Sequence, residues 1–258
     1  MTTVNEILQD LTAWAPLSRK EDWDNVGLAC GRGSREVETV LVALDPTLDV
    51  LFEAKERGAQ LVVSHHPMTI SGLKQVNDRD LTGMTMLWAM ENQLTVVNLH
   101  TNLDCAVGGV NDCLAAALGL QEPELLPEPG KEFGYVRMGA VNKMPLLTFL
   151  PLVKERLGCA GLRYADGRRP VRRVAVGGGA CASMLEAVLA RGCDTFVTAD
   201  AKYNHFLDAE ALGLNLIDAG HFETESVVCP AIVRRLRADF CALTVLLSEK
   251  HHSPVRFL

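Results

Sequence analysis

From residue 37 onward, short apolar runs alternate with amphipathic stretches, and this alternation restricts the fold more than any other feature of the chain. Val40-Leu41-Val42-Ala43-Leu44, Leu61-Val62-Val63 and Leu94-Thr95-Val96-Val97 read as buried strands. Residues 48–57, closed by Gly58, and residues 81–92 read as the helices between them, and another helix follows Gly108-Gly109. Runs that are apolar at every position suit strands covered on both faces, and helices between them predict βαβ units in a largely parallel sheet. Ahead of this region Val4, Ile7, Leu8, Leu11 and Trp14 recur at helical spacing until Pro16 stops the helix.

The pattern then echoes. Strands are predicted at residues 135–141, 174–176 and 195–197, with helices at 146–157 and through Met184-Leu185-Glu186-Ala187 to Gly192. Between the two series, residues 120–131 hold Pro123, Pro127 and Pro129; proline denies backbone donors, so this stretch is predicted to be a linker. The expected fold class is α/β, with two related halves of mixed, largely parallel sheets and a metal site in the cleft between them. The first half spans 1–125 and the second 126–258. A chain of 258 residues at about 150 per domain supports one to two such bodies.

Composition narrows the function. Twenty-five Lys and Arg against 32 Asp and Glu leave a formal charge of −7, which repels nucleic acid and anionic membrane. Aromatic residues at 5% are too sparse for a base-stacking surface of the single-strand-binding kind. Eight cysteines contain no C-x-x-C pair and sit mostly in apolar runs, and Asn5, Glu6 and Asp10 stand where a signal peptide would be apolar. A cytoplasmic protein with reduced thiols and no membrane span is expected.

The sharpest local feature is Val62-Val63-Ser64-His65-His66-Pro67, two adjacent imidazoles after a buried strand. Ligands in open α/β sheets bind beyond the carboxyl ends of strands, and successive residues of extended chain address opposite directions. His100 precedes Asp104 by four residues, and His221 precedes Glu225 by four, each pair following an apolar strand. If a helical turn intervenes, each pair shares a face. Imidazole with carboxylate suits Zn, Mn or Fe better than Ca or Mg. His65, His66, Asp104, His221 and Glu225 are too many ligands for one tetrahedral site and fit two divalent metals with positions open to water. His100 reads as a ligand, a supporting donor or a base, and Asp45 and Asn102 as supporting groups. Val176-Gly177-Gly178-Gly179-Ala180-Cys181-Ala182 satisfies G-x-G-x-x-A after a strand, but a close-packed turn is the preferred reading over a dinucleotide fingerprint. His251-His252 reads as a solvated tail.

Four ordered motifs carry a resemblance. They are Trp23-Asp24-Asn25-Val26-Gly27-Leu28; Ser64-His65-His66-Pro67; His100-Thr101-Asn102-Leu103-Asp104 with Gly108-Gly109-Val110-Asn111-Asp112; and Asp218-Ala219-Gly220-His221-Phe222-Glu223-Thr224-Glu225. The chain resembles the NGG-interacting-factor-three-like family of dinuclear metal proteins, often named GTP cyclohydrolase 1 type 2 homologues. The resemblance implies metal ligation by His65, His66, Asp104, His221 and Glu225, and a toroidal homo-hexamer with the metals facing an internal cavity. Some members carry an extra domain between the halves, for which the predicted linker leaves no room. Where the family often has Thr-Gly-Asp and then a Tyr-His pair, this chain has Thr198-Ala199-Asp200 and Tyr203-Asn204-His205, which weakens a substrate contact for His205.

The leading expectation is a dinuclear metal-dependent hydrolase acting on a nucleotide or related phosphorylated small molecule, with His100 and Asp200 as catalytic candidates that move protons. For a GTP cyclohydrolase reaction, metal-activated water would open the purine at C8 with loss of formate. The alternative is a non-catalytic metal-binding hexameric scaffold or regulatory interaction protein. An oxidoreductase using the Gly177 turn is a distant third.

Overall fold

Helix starts follow local chemistry. The first helix, α1 (Val4–Trp14), opens on Thr3, whose hydroxyl accepts from the Glu6 N–H while the Glu6 carboxylate accepts from the Thr3 N–H at 2.7 Å. The computed structural model describes residues 1–128 and 130–258. After α1 come β1 (Gly27–Cys30), β2 (Thr39–Ala43), α2 (Leu48–Glu56), β3 (Leu61–Ser64), α3 (Leu81–Glu91), β4 (Thr95–Asn98) and the short α4 (Thr101–Cys105). The middle of the chain forms α5 (Val110–Leu118), β5 (Gln121–Leu126), β6 (Val136–Met144), α6 (Leu146–Leu157), β7 (Arg163–Ala165) and β8 (Val171–Val176). Then follow α7 (Leu185–Ala190), β9 (Thr195–Thr198), α8 (Tyr203–Leu212), β10 (Asn215–Asp218), α9 (His221–Glu225), α10 (Cys229–Asp239) and β11 (Thr244–Leu247). The fold is α/β with two mixed sheets. Among the described residues no helix is long and apolar enough to cross a membrane.

The chain divides into two compact units. One comprises Met1–Val107 with Cys229–His252, the other Gly108–Val228 with Ser253–Leu258. In the first unit the strand order is β1-β4-β3-β2-β11, parallel throughout except for the antiparallel edge strand β1. Both β3 and β4 are buried at every position, which is why their Leu61-Val62-Val63 and Val96-Val97 runs show no alternation. Leu41, Val62 and Val96 pack with Val50, Leu51 and Ala54 of α2 and Ala89 of α3. Arg235 on α10 grips Asp10 on α1 through two 3.0 Å hydrogen bonds. Beyond β11 the chain is anchored on the buried Glu53 carboxylate, which accepts from the Ser248 hydroxyl, the Glu249 and Lys250 N–H groups and the Arg57 guanidinium. Burial pushes the Glu53 pKa up, but these donors outweigh it and hold the group below its ordinary 4.5.

In the second unit the order is β5-β6-β8-β9-β10-β7, with parallel ladders joining β8, β9 and β10 and antiparallel ones elsewhere. Side-chain alternation splits its core. Val174, Val176, Val197 and Ile217 face α5 and α6, while Ala175, Phe196 and Leu216 face α7 and α8. Each unit thus centres on three consecutive parallel strands in chain order, β2-β3-β4 and β8-β9-β10.

The region read as a linker is a strand. Gln121–Leu126 pairs with β6 at the edge of the sheet, and Pro123 sits where the register shifts, between Gln121 and Glu124. Proline is tolerated there because an edge strand leaves half its donors unpaired. Pro129, the third proline of that reading, lies outside the described residues.

Candidate metal centre

Strand register brings the candidate residues of the first unit to one edge of its sheet. Ala43, Ser64 and Asn98 are aligned across β2, β3 and β4, so Asp45, His65, His66 and His100 all leave from the same carboxyl edge. Equal offset from that line puts the Asp45 carboxylate 2.6 Å from His66 Nδ1. His65 is fully buried, and its Nδ1 lies 2.8 Å from the Leu99 carbonyl. A carbonyl can only accept, so His65 carries a proton on Nδ1 and turns Nε2 away from Leu99. His100 Nδ1 lies 2.8 Å from Asp24 Oδ1. Thr101 donates its N–H and hydroxyl to the other Asp24 oxygen. Burial pushes the Asp24 carboxyl up, yet the hydrogen bonds from His100 and Thr101 prevail and hold it at about 2. An ionised Asp24 fixes the His100 tautomer in the same sense.

The three rings form a close triangle, with centroids 5.0, 5.3 and 5.6 Å apart. His65, His66 and His100 each offer a ring nitrogen within 4.8 Å of the others, a group able to hold a metal ion. Asp104, on α4, brings its Oδ1 to 3.5 Å from His65 Nε2. Asn102 accepts from the His100 N–H and donates to the Ala15 carbonyl, so it holds the loop rather than a ring nitrogen.

The second unit repeats the device. Thr198 and Asp218 are aligned on β9 and β10, so Asp200 and His221 leave from one edge. His221 Nδ1 is 2.8 Å from Asp200 Oδ2, and one helical turn later Glu225 Oε2 is 3.0 Å from His221 Nε2. This imidazole has a carboxylate at both nitrogens, which requires either a second ring proton or a metal ion in its place. Asp200 holds φ of +51°, a left-handed conformation unusual for a residue with a side chain. The glycine turn after β8 closes against the same pair. A Cβ on Gly179, where φ is +61°, would lie 2.1 Å from Glu225 Oε1. The turn's donors are committed: Gly177 N to Val197 O, Gly178 N to Asn111 Oδ1, Gly179 N to Thr224 Oγ1 and Cys181 N to Thr198 Oγ1. With four of the turn's amides engaged within the unit, the close-packed turn is the better reading than a dinucleotide cradle.

Across both units the same arrangement recurs. His65, His66, His100 and His221 each have Nδ1 held by an oxygen, and His221 meets Glu225 through Nε2 as well. Nitrogen and carboxylate donors so prepared fit a divalent transition metal. Outside this set, His205 accepts from the Lys202 N–H and caps α8 locally. His251 is not a solvated tail. It is half-buried, its Nδ1 accepts from the Leu44 N–H at 3.3 Å, and burial lowers its pKa. Asp24 was not visible as a site residue by spacing, since its partner lies 76 positions away.

Comparison with known proteins places the chain in a family. The family model described as Duf34/NIF3 (NGG1p interacting factor 3) matches residues 2–254. A Streptomyces coelicolor protein named GTP cyclohydrolase 1 type 2 homolog is 36% identical over 89% of this chain and 84% of its own length. One of the same name from Clostridium perfringens is 30% identical over 99% of both chains. In fold, the chain matches the crystal structure of a Bacillus cereus protein related to NIF3 with a TM-score of 0.93 at 24% identity, covering 100% of this chain and 99% of that one. The chain belongs to the Duf34/NIF3 family.

Proposed function

We propose that the protein is a dinuclear divalent-metal-dependent hydrolase acting on a nucleotide or a related phosphorylated metabolite. In this reading His65, His66, Asp104, His221 and Glu225 together hold two metal ions, Zn, Fe or Mn. The observation that carries it is the fourfold repetition of an oxygen-held Nδ1, the orientation a histidine metal ligand takes. The metals would supply acidity, making a water nucleophilic near neutral pH.

The chain's own residues orient and move protons. Asp45 keeps the His66 ring in place, and Asp200 does the same for His221 and joins in proton movement through that ring. His100, its tautomer fixed by Asp24, has Nε2 available to accept a proton during attack and return it to the leaving group. The names of the relatives make GTP the first substrate to try. The family resemblance also carries the expectation of a homo-hexamer, which light scattering checks.

The experiment is to strip the protein with chelator, reload it with Zn, Mn or Fe, and count bound metal. GTP, other nucleotides and a panel of phosphate esters are then assayed. Turnover should require metal and disappear in His66→Ala and Glu225→Ala. Absence of turnover with every metal, or turnover that survives chelation, refutes the hydrolase. Chelation that alters only assembly or stability favours a scaffold instead.

A further inference from the structure

We propose that Trp23 is the platform on which a planar heteroaromatic ring of the substrate stacks beside the imidazole triangle, an inference that rests on reading that triangle as part of the hydrolytic site. Trp23 is 57% exposed, a large apolar surface left in water. Its ring meets His100 edge-on, with centroids 6.0 Å apart and planes at 75°. The remaining face of the indole is therefore not covered by its imidazole neighbour.

The residues around it are fixed. Asp24 N–H donates to the Glu21 carbonyl and Glu21 N–H to the Thr101 hydroxyl, both at 3.0 Å. Lys20 Nζ bridges the Glu21 and Asp24 carbonyls at 3.1 and 3.0 Å. The Asp24 carboxylate holds His100 and Thr101. Asn25 donates to the Thr69 carbonyl, in the loop that follows His66, and Asn98 donates to the Asn25 carbonyl, each at 3.0 Å. The turn is thus stitched to the strand ends that carry His66 and His100. Its indole, by contrast, makes no hydrogen bond among the described residues.

The other tryptophans are engaged. Trp14 donates to the Val107 carbonyl at 2.8 Å and lies under the Arg235 guanidinium, and Trp88 packs edge-on against Phe52 with centroids 4.7 Å apart. An exposed indole carried on a fixed turn beside a set of prepared donor nitrogens is suited to binding a flat π-system, since every nucleobase offers a face. Such a stack is worth about 1–3 kcal/mol, or about 5- to 150-fold in affinity. A ring-less phosphate ester gains none of it, so Trp23 would set preference among substrates.

The test uses the metal-loaded full chain and tryptophan fluorescence. GTP and guanosine should quench emission saturably, whereas ribose 5-phosphate should not. In Trp23→Ala the quench should vanish, and affinity for the two ring-bearing ligands, measured by calorimetry, should fall about 5- to 150-fold. Trp23→Phe should recover most of that affinity, with metal content unchanged in both variants. If turnover is found, KM should rise without a matching fall in kcat. Equal affinity in Trp23→Ala and wild type overturns the proposal. So does a change in assembled mass, by light scattering, in place of a change in ligand affinity, because the indole then serves contact between copies. Ring-dependent binding without turnover would sink the hydrolase and leave the platform; turnover indifferent to Trp23 would do the reverse.

Discussion

Gly179→Ala is the most incisive perturbation of the second unit's His221–Glu225 pair, the proposed metal ligands. Two costs combine. At φ +61° an alanine occupies the left-handed region, which costs about 1–2 kcal/mol for a residue with a Cβ. The new methyl also lies 2.1 Å from Glu225 Oε1, 3.1 Å from its Cδ and 3.2 Å from His221 Cε1. Ordinary contact requires the carboxylate oxygen to retreat by more than about 1 Å, an overpacking that costs a further 1–3 kcal/mol or so. The 3.0 Å approach of Glu225 to His221 cannot survive such a shift. Gly158, which closes α6 at φ +70° with nothing within 4 Å of its Cβ position, supplies the control. Urea unfolding and metal analysis should separate the two. Gly158→Ala should lose only the conformational cost of about 1–2 kcal/mol and keep any bound metal. Gly179→Ala should lose about 2–5 kcal/mol and bind metal more weakly. In a Glu225→Ala background the added cost of Gly179→Ala should fall to about 1–2 kcal/mol, because the clash is gone. If Gly179→Ala matches Gly158→Ala in both readouts, or costs the same with and without the Glu225 side chain, the steric argument is wrong.

Three further outcomes are expected. Glu53→Gln should lower stability at pH 7 by about 1–3 kcal/mol, since buried donors lose a charged acceptor. Because the folded Glu53 pKa is depressed, its contribution is full above the unfolded value near 4.5 and fades as pH falls through the lower folded value; urea midpoints of wild type and variant should therefore converge in acid. Asp24→Asn should release the His100 tautomer, seen as altered ring-nitrogen chemical shifts, and reduce any turnover while metal content holds. Burial raises the Cys159 thiol to about 12 and the Cys30 thiol to about 11, so an aromatic disulfide reagent should modify exposed Cys241 rapidly and Cys159 only on unfolding. Rapid native labelling of Cys159, followed by mass spectrometry, would contradict that burial.

What could be read from sequence was what burial writes into it. The apolar runs inside fully buried β3, β4 and β9 stand out because both faces are covered, and α1 and α6 because only one side is. Less visible were elements whose residues answer to an edge. The β5 strand is exposed at four consecutive positions and carries a proline, so it has the composition of a loop. Three-residue β7 and exposed α8, with one buried residue, have too little core contact to impose a pattern. The site divides the same way. Strand ends exposed His65, His66, His221 and Glu225 as candidates. The partner of each Nδ1 depends instead on register between strands: Asp45 meets His66 through the β2–β3 alignment, and Asp24 reaches His100 from a loop before β1. His251 was misplaced for a like reason, since only the ladder of β11 on β2 carries the following segment back to Leu44.

That ladder also affects how the protein is made. Strand β2 ends at Ala43 and its outer partner β11 begins at Thr244, so about 200 residues must leave the ribosome before the pair can close. At about 5–20 residues per second this is a delay of about 10–40 s, through which nascent β2 offers an open row of amides and carbonyls. A chain stalled or cut before Thr244 would keep that row permanently, and its natural fate is capture by a chaperone or by the same row on another unfinished copy.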